Sequence, residues 1–272
     1  ISIKAKSGTV LSDTSKADIV TQLKPYNVAS VRPIIKDPET TSVLITSNVK
    51  YDAKATAKTA DTIKADVIDK LIAYNASTLQ KFDSVFRYSK VTGLIDSSDD
   101  SILSNITTVK IRKSFQPILL TSSKYSIYFR NALYNPHEGH LASSGGILTS
   151  SGFKVDGNAN ECFFDDDGAG NVRLYYYSSG VKSYLNSTQG TINYGTGEIT
   201  INSMNIASIS NIRGTTSTVV ELKVTPSSND VVPVRDQIVE MDIANSTITV
   251  TADSFVGGSA EAGVGYTTTS SY

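Results

Sequence analysis

The segment 43–96 constrains the fold most strongly, because helical periodicity is concentrated there. Three of its aliphatic residues recur every four positions: Ile63, Val67 and Leu71. This spacing predicts an amphipathic helix, and Thr59 or Asp61 is suited to cap its start. A helix with one apolar face needs a sheet to cover, and an apolar, strand-like run at 43–51 precedes it. The segment therefore predicts a compact α/β module.

The second half of this segment predicts a shorter helix and then a strand. Leu79, Phe82 and Phe86 form another apolar face after a break at Asn75. The following run at 91–95 is apolar and is predicted to return as a strand. The module is thus expected to contain two helices between flanking strands.

Outside this segment, apolar residues mostly alternate with polar ones, which is the period of antiparallel strands with one solvated face. Two hairpins are predicted most clearly. Strand-like runs 161–164 and 172–177 flank a Gly-containing turn, and runs 191–194 and 198–201 flank 195–197. The predicted fold class is α+β, with the compact α/β module followed by a β-rich, mainly antiparallel portion.

The predicted organisation has three parts. Residues 1–36 form an N-terminal arm of strand and helix, 37–136 the α/β module with antiparallel strands, and 137–272 a β-rich domain with hairpins. Residues 257–272 contain few large apolar side chains, so we expect a loose tail unless a partner holds it. The sequence starts at Ile1 in strand-like sequence, so we expect a fragment or processed piece of a longer protein.

Composition argues against several kinds of partner. The 272 residues carry 25 Lys and Arg against 26 Asp and Glu, so no strong field attracts nucleic acid or an anionic membrane. The longest apolar runs, such as 118–120, are too short to span a bilayer. Cys162 is the single cysteine and excludes an internal disulfide. We expect no nucleic-acid or membrane partner, and synthesis in the cytoplasm, because no signal peptide is visible.

The two histidines, His137 and His140, invite comparison with a zinc-binding helix. That motif needs two histidines four positions apart with a glutamate between them. Here the spacing is three, and Pro136 and Gly139 argue against a helix. A polar loop is the favoured interpretation, and the sequence offers no third ligand.

The acidic run Asp165-Asp166-Asp167 invites comparison with a calcium loop. Aligning Gly168 on the turn glycine of an EF-hand puts Phe163 at the first ligand position, so the motif fails. The residues instead suit a tight hairpin turn. We therefore predict no catalytic residue, metal, cofactor or small-molecule substrate. A hydrolase using this run or the histidine loop remains a third hypothesis.

A run of three tyrosines is the candidate binding feature. Strand alternation puts Tyr175 and Tyr177 on one face and Tyr176 on the other. Tyrosine is favoured at protein interfaces because it combines large area with a polar tip, and it also suits an exposed antiparallel sheet. Tyr175 and Tyr177 are thus candidate protein-interface residues.

The segments 23–27, 37–38, 43–51, 86–89 and 94–96 occur in an order that resembles the baseplate J-like family of contractile phage tails. The segments 190–199 and 233–238 more narrowly resemble the baseplate wedge proteins of T-even-type phages. The resemblance extends over most of the chain. It implies a C-terminal portion of such a wedge protein.

The resemblance implies a structural, late protein of the virion tail baseplate, assembled in the host cytoplasm. Its relatives dimerise, join other wedge subunits and link wedges into a ring around the tail hub. The ring rearranges and so helps to trigger sheath contraction. The family supplies no catalytic residues. The alternative is a tail-fibre or adhesin-like module that recognises surface glycans through Tyr175 and Tyr177.

Overall fold

Two sheets and three α-helices make up the fold in the computed structural model, which describes residues 1–4, 11–28, 32–234 and 237–253. The α-helices are α1 (Asp13–Leu23), α2 (Ala60–Tyr74) and α3 (Tyr88–Asp96). The strands are β1 (Glu39–Tyr51), β2 (Ile102–Phe115), β3 (Ser122–Tyr128), β4 (Thr149–Ser150), β5 (Phe153–Val155), β6 (Glu161–Asp166), β7 (Asn171–Ser178), β8 (Val181–Asn193), β9 (Glu198–Ile209), β10 (Val220–Val224), β11 (Gln237–Met241) and β12 (Thr247–Ala252). The predicted α+β class is confirmed.

The first sheet has the order β11-β1-β2-β10-β4, and β12 also pairs with β1. β2 runs antiparallel along one side of β1. On the other side, β11 pairs in parallel with 39–43 and β12 in parallel with 46–51. One long strand therefore joins the predicted α/β segment to residues about 200 positions later in the sequence.

Helix α2 packs on this sheet as its periodicity predicts. The side chain of Thr59 caps the helix by accepting a hydrogen bond of 3.3 Å from the backbone N–H of Thr62. Ile63, Val67 and Leu71 are fully buried. Aliphatic side chains on every fourth position thus remove one helix face from water, which stabilises the helix through tertiary packing.

The strand predicted at 91–95 is wrong, because this run lies inside α3. Val91 and Ile95 are both fully buried and stand four positions apart, so one helical face carries both side chains into the core. In a strand, the same spacing would also place them on one face. A short apolar run is compatible with either period, and packing against the sheet selects the helix.

The second helix predicted around Leu79, Phe82 and Phe86 is also wrong. A five-residue π-helical turn, Asn75–Leu79, ends the helical backbone. Phe82 then forms a bridge to Ile238, and Phe86 exchanges two backbone hydrogen bonds of 3.0 Å with Val231. The segment is extended because these later residues satisfy its backbone groups.

The second sheet closes on itself. Its order is β3-β9-β5-β6-β7-β8, and β8 returns to pair with β9, so five strands form a ring. Both predicted hairpins are confirmed, as β6–β7 and β8–β9. Gly190 lies where β8 and β9 approach closely, since a Cβ there would stand 2.1 Å from the carbonyl oxygen of Thr200.

The two sheets share one hydrophobic core, to which Ile111, Phe129 and Phe164 all belong. The chain enters the second sheet at β3, returns briefly to the first sheet at β4, forms β5 to β9 in the second sheet and returns to the first at β10. The boundaries at 36/37 and 136/137 stay predictions, and the tail 257–272 lies outside the described residues. Within the described part of the chain, no helix combines the length and apolar character needed to cross a membrane.

Candidate protein interface

Strands β6, β7 and β8 bring the predicted tyrosines into a larger patch, here called the tyrosine face. Its members are Phe163, Arg173, Tyr175, Tyr177, Lys182 and Tyr184, above the carboxylate of Asp165. The register produces this grouping, because Tyr175 lies opposite Phe163 on one side and Tyr184 on the other. Tyr177 lies opposite Lys182. Residues directly opposite in antiparallel strands share a face of the sheet.

The aromatic rings of the tyrosine face contact each other. The ring centroids of Phe163 and Tyr175 are 5.7 Å apart in a stacked arrangement. Tyr175 meets Tyr177 edge-on at 5.6 Å and Tyr184 at 6.0 Å. These separations fall in the favourable range for aromatic pairs, so each ring restricts its neighbours.

A buried carboxylate holds the two cations of the face. Asp165 is 2% exposed and accepts hydrogen bonds of 2.8 Å from Nε of Arg173 and 2.7 Å from Nζ of Lys182. Nζ of Lys182 lies 4.1 Å from the ring centroid of Tyr175, and Cζ of Arg173 lies 4.5 Å from that of Tyr184. Both cations are therefore fixed against aromatic rings before any partner arrives.

The hydroxyls of Tyr175 and Tyr184 stay protonated at neutral pH. Burial raises the pKa of Tyr184, and the negative charge of Asp165 raises it further. Burial also raises the pKa of Tyr175, with the neighbouring Tyr177 adding to the effect. A neutral hydroxyl can donate or accept a hydrogen bond. The face therefore suits recognition better than proton transfer at neutral pH.

The two predicted interface residues differ in exposure. Tyr177 is 52% exposed, whereas Tyr175 is 8% exposed and forms the floor of the face. Tyr176 lies on the opposite side of the sheet, where it packs against the hydrophobic core. The alternation therefore assigns the faces correctly, and Tyr184 supplies an exposed ring that sequence reasoning missed.

One missed contact had a signal in the sequence. Asp165 pairs with Arg173 directly across the predicted β6–β7 hairpin, two positions from the Phe163–Tyr175 pair. Counting along the hairpin would have placed the two charges together. Lys182 had a signal as well, because a two-residue turn at 179–180 joins β7 to β8 and thereby places Lys182 opposite Tyr177.

Asp166 is the next residue of the acidic run. Its carboxylate holds a loop of this chain in place. Its Oδ1 accepts hydrogen bonds of 2.7 Å from the backbone N–H groups of both Ile147 and Leu148. Its Oδ2 accepts a bond of 2.6 Å from the hydroxyl of Tyr194. Burial raises the pKa of that hydroxyl, and the bond to Asp166 raises it further. Asp166 thereby ties the polar loop before β4 to the β8–β9 hairpin.

Asp167 organises the turn between β6 and β7. It accepts hydrogen bonds of 2.8 Å from the N–H of Ala169 and 2.9 Å from that of Asn171. Burial opposes its ionisation, but the hydrogen bonds from Asn171 outweigh this and lower its pKa. The three consecutive acids thus have three structural roles. Across the ranges that the structure covers, no group of three or more His, Cys, Asp or Glu residues is placed to hold a metal ion.

The histidine loop brings its two rings together, and the described residues supply no third ligand beside them. Nδ1 of His140 lies 3.1 Å from Nε2 of His137, so these nitrogens face one another. An open cavity of about 670 Å³ adjoins the loop and is lined in part by His137, Glu138 and Glu198. Its lining contains hydroxyl, amide and carboxylate groups but no lysine or arginine. This is a hydrogen-bonding cavity without an identified nucleophile–base pair.

Comparison with known proteins gives two matches to family models and one relative. Residues 40–114 match C-terminal domain III of the baseplate structural protein gp6, and residues 1–36 match C-terminal domain I of the same protein. The baseplate wedge protein gp6 of Enterobacteria phage T4 is 28% identical over 116 residues. That match covers 43% of this chain and 18% of the relative. The predicted resemblance to baseplate wedge proteins is confirmed.

Proposed function

We propose that this chain, which matches two C-terminal domains of the baseplate structural protein gp6, is a non-enzymatic subunit that holds a phage tail baseplate together. It dimerises, joins other wedge subunits and links wedges into a ring around the tail hub. Rearrangement of that ring contributes to sheath contraction. The subunit is a late protein assembled in the host cytoplasm, with no nucleic-acid, membrane or small-molecule partner.

The observation that carries this proposal is the pair of family matches within one chain. Domain I at 1–36 and domain III at 40–114 both come from a baseplate structural protein. The relative from phage T4 is also named as a protein of the baseplate. The acidic run supports a structural role, because Asp165, Asp166 and Asp167 use their oxygens to bind groups of this chain.

We assign the docking of a neighbouring wedge subunit to the tyrosine face. Tyrosine and arginine are the residue types that most often dominate binding energy at interfaces. Here Asp165 fixes Arg173 and Lys182 in advance, so less conformational entropy is lost on binding. Tyr177 is the most exposed ring of the tyrosine face, at 52%.

Electron microscopy of phage particles tests the proposed location. The chain is expressed with a small fused label in place of the native protein, and tail baseplates are imaged. We expect label density repeated around the baseplate ring. Density at fibre tips would support the adhesin alternative instead, and an absence from purified particles would refute a structural role in the virion.

Substitution of Tyr177 tests the docking surface. Tyr177→Ala is expected to weaken binding to purified wedge subunits at least tenfold, because the most exposed ring of the tyrosine face is lost. Tyr128→Ala is the matched control, since Tyr128 is 44% exposed on β3 and lies outside the face. Equal losses for both variants would contradict the assignment.

A glycan array with the same two variants separates the runner-up function. Sugar binding that disappears in Tyr177→Ala would favour the adhesin-like module. The burial of Tyr175 under Lys182 removes one of the two rings that the sequence offered for stacking on a sugar. We therefore expect no array signal that depends on Tyr177.

A further inference from the structure

Strand β12 presents a sheet edge that the described part of the chain leaves unpaired. It pairs with β1 on one side, and no described strand lies along the other. The strand has the sequence TITVTA, without charge, proline or glycine. Natural edge strands usually carry such residues, because a bare edge is a template for pairing with another chain. Strand β12 has no charged residue or proline that would hinder such pairing.

The neighbouring edge on the same side of β1 is covered. Along β11, the side-chain amide of Asn75 donates to the carbonyl of Met241 at 3.1 Å and accepts from its N–H at 2.8 Å. Phe82 also bridges to Ile238 on this strand. The fold therefore closes one half of the edge with its own residues and leaves the β12 half unpaired among the described residues.

A groove of about 650 Å³ runs beside this edge, between α2 and β12. Its apolar lining comes from Ile68 and Ile72 on the helix and from Ile243 and Ile248 on the sheet side. Ile72 is 50% exposed. An unpaired edge beside a helix-lined apolar groove is the geometry in which an added strand gains backbone hydrogen bonds and side-chain pockets together.

We propose that a second copy of this chain adds its own β12 to this edge, in an antiparallel pairing around a two-fold axis. This inference rests on the homodimer in the proposed function and names its surface. A two-fold contact places the same strand opposite itself, so it must be self-complementary. Strand β12 meets that condition because it brings no like charges into opposition.

Alternation of side chains limits the possible registers to those that place a residue on the two-fold axis. A two-fold axis perpendicular to the sheet keeps both α2 helices on one side, so odd-numbered residues must face odd-numbered ones. With Thr249 on the axis, Thr247 faces Thr251 of the second copy, and Ile248 faces its Val250. Thr247, Thr249 and Thr251 are exposed, whereas Ile248 is buried. Threonine pairs then line the open side and aliphatic side chains extend the groove.

Cysteine cross-linking tests the register directly. Cys162 is buried and is the single native cysteine, so an added surface thiol is the reactive one. Thr249→Cys is expected to form covalent dimers under mild oxidation, because opposed residues approach to about 5 Å between Cβ atoms. Thr108→Cys is the matched control, an exposed threonine on the central strand β2. Equal cross-linking of the two variants would overturn the inference.

A variant that adds a charge tests the same surface without a cross-linking reaction. Thr249→Lys puts two like charges on the axis and is expected to raise the dimer dissociation constant at least tenfold. Thr108→Lys should leave it within twofold. Sedimentation across protein concentrations measures both, with circular dichroism to confirm folding.

The outcomes separate this inference from the proposed function. A dimer that survives Thr249→Lys unchanged would place the dimer contact elsewhere, which refutes the β12 surface but leaves the homodimer standing. An unsubstituted chain that stays monomeric at every concentration would refute both.

Discussion

The side chain of Asn75 completes the backbone hydrogen bonding of Met241, 166 residues further along the chain. Its amide donates to the carbonyl and accepts from the N–H, as a neighbouring strand would. Asn75 sits where α2 passes into the π-helical turn, so the contact joins the end of the helix to the edge of the first sheet. The residue at which the sequence predicted a helix break therefore also makes a tertiary contact.

Replacing Asn75 tests the strength of this contact. Asn75→Ala leaves a buried N–H and a buried carbonyl of Met241 without their partner, so we expect the free energy of unfolding to fall by about 2–4 kcal/mol. Urea denaturation measures the change. Asn48→Ala, at an exposed asparagine of β1, should stay within about 0.5 kcal/mol. A similar small effect at Asn75 would contradict its role.

Glycine is required at Gly146 by its backbone conformation and by the lack of space for a side chain. Its φ of +65° is left-handed, and a Cβ would stand 2.2 Å from Oδ1 of Asp166. Gly146→Ala should therefore cost about 3–5 kcal/mol, from backbone strain plus displaced hydrogen bonds. Gly157→Ala is the control, because its φ is +78° but nothing lies within 4 Å of its Cβ position. That variant should lose about 1–2 kcal/mol, and equal losses would refute the packing argument.

The hydroxyl of Tyr194 can be removed without changing the ring. Tyr194→Phe takes away the 2.6 Å hydrogen bond to the buried carboxylate of Asp166, so we expect a loss of about 1–3 kcal/mol in the free energy of unfolding. Tyr128→Phe, at an exposed tyrosine, should change it by less than about 0.5 kcal/mol. Thermal unfolding of both variants gives the comparison, and matching melting temperatures would count against the anchor.

Asp99 predicts a stability change in acid. Hydrogen bonds from Lys58 and then Ser101 lower its pKa to about 2. Because the folded pKa lies below the unfolded value of about 3.9, the stabilisation is present above pH 4 and is lost as the pH falls towards 2. Asp99→Asn should therefore be less stable than the unsubstituted chain at pH 7, with the difference shrinking by pH 2.

Thermal unfolding between pH 7 and pH 2 follows this difference. Asp69→Asn is the control. Asp69 is an exposed residue of α2, the helix to which Lys58 also forms an ion pair. A difference between Asp99→Asn and the unsubstituted chain that stays constant with pH would contradict the pairing of Lys58 with Asp99.

Local patterns determined much of the fold from sequence alone. The stripe of Ile63, Val67 and Leu71, the cap at Thr59 and the turns of both hairpins were all predicted and are present. Each depends on residues within about ten positions of one another. At that range, periodicity and turn chemistry decide which backbone hydrogen bonds form.

Only the tertiary structure decided the conformation of segments that pack against or pair with residues far away in the sequence. The segment 88–96 became a helix because Val91 and Ile95 pack on a sheet, and Phe86 became extended because Val231 pairs with it. Tyr175 and Tyr177 share a face by sequence, but Tyr175 is 8% exposed and Tyr177 52%, a difference that strand alternation does not predict. Burial and strand pairing depend on which distant residues meet, and that information is absent from any single local run of sequence.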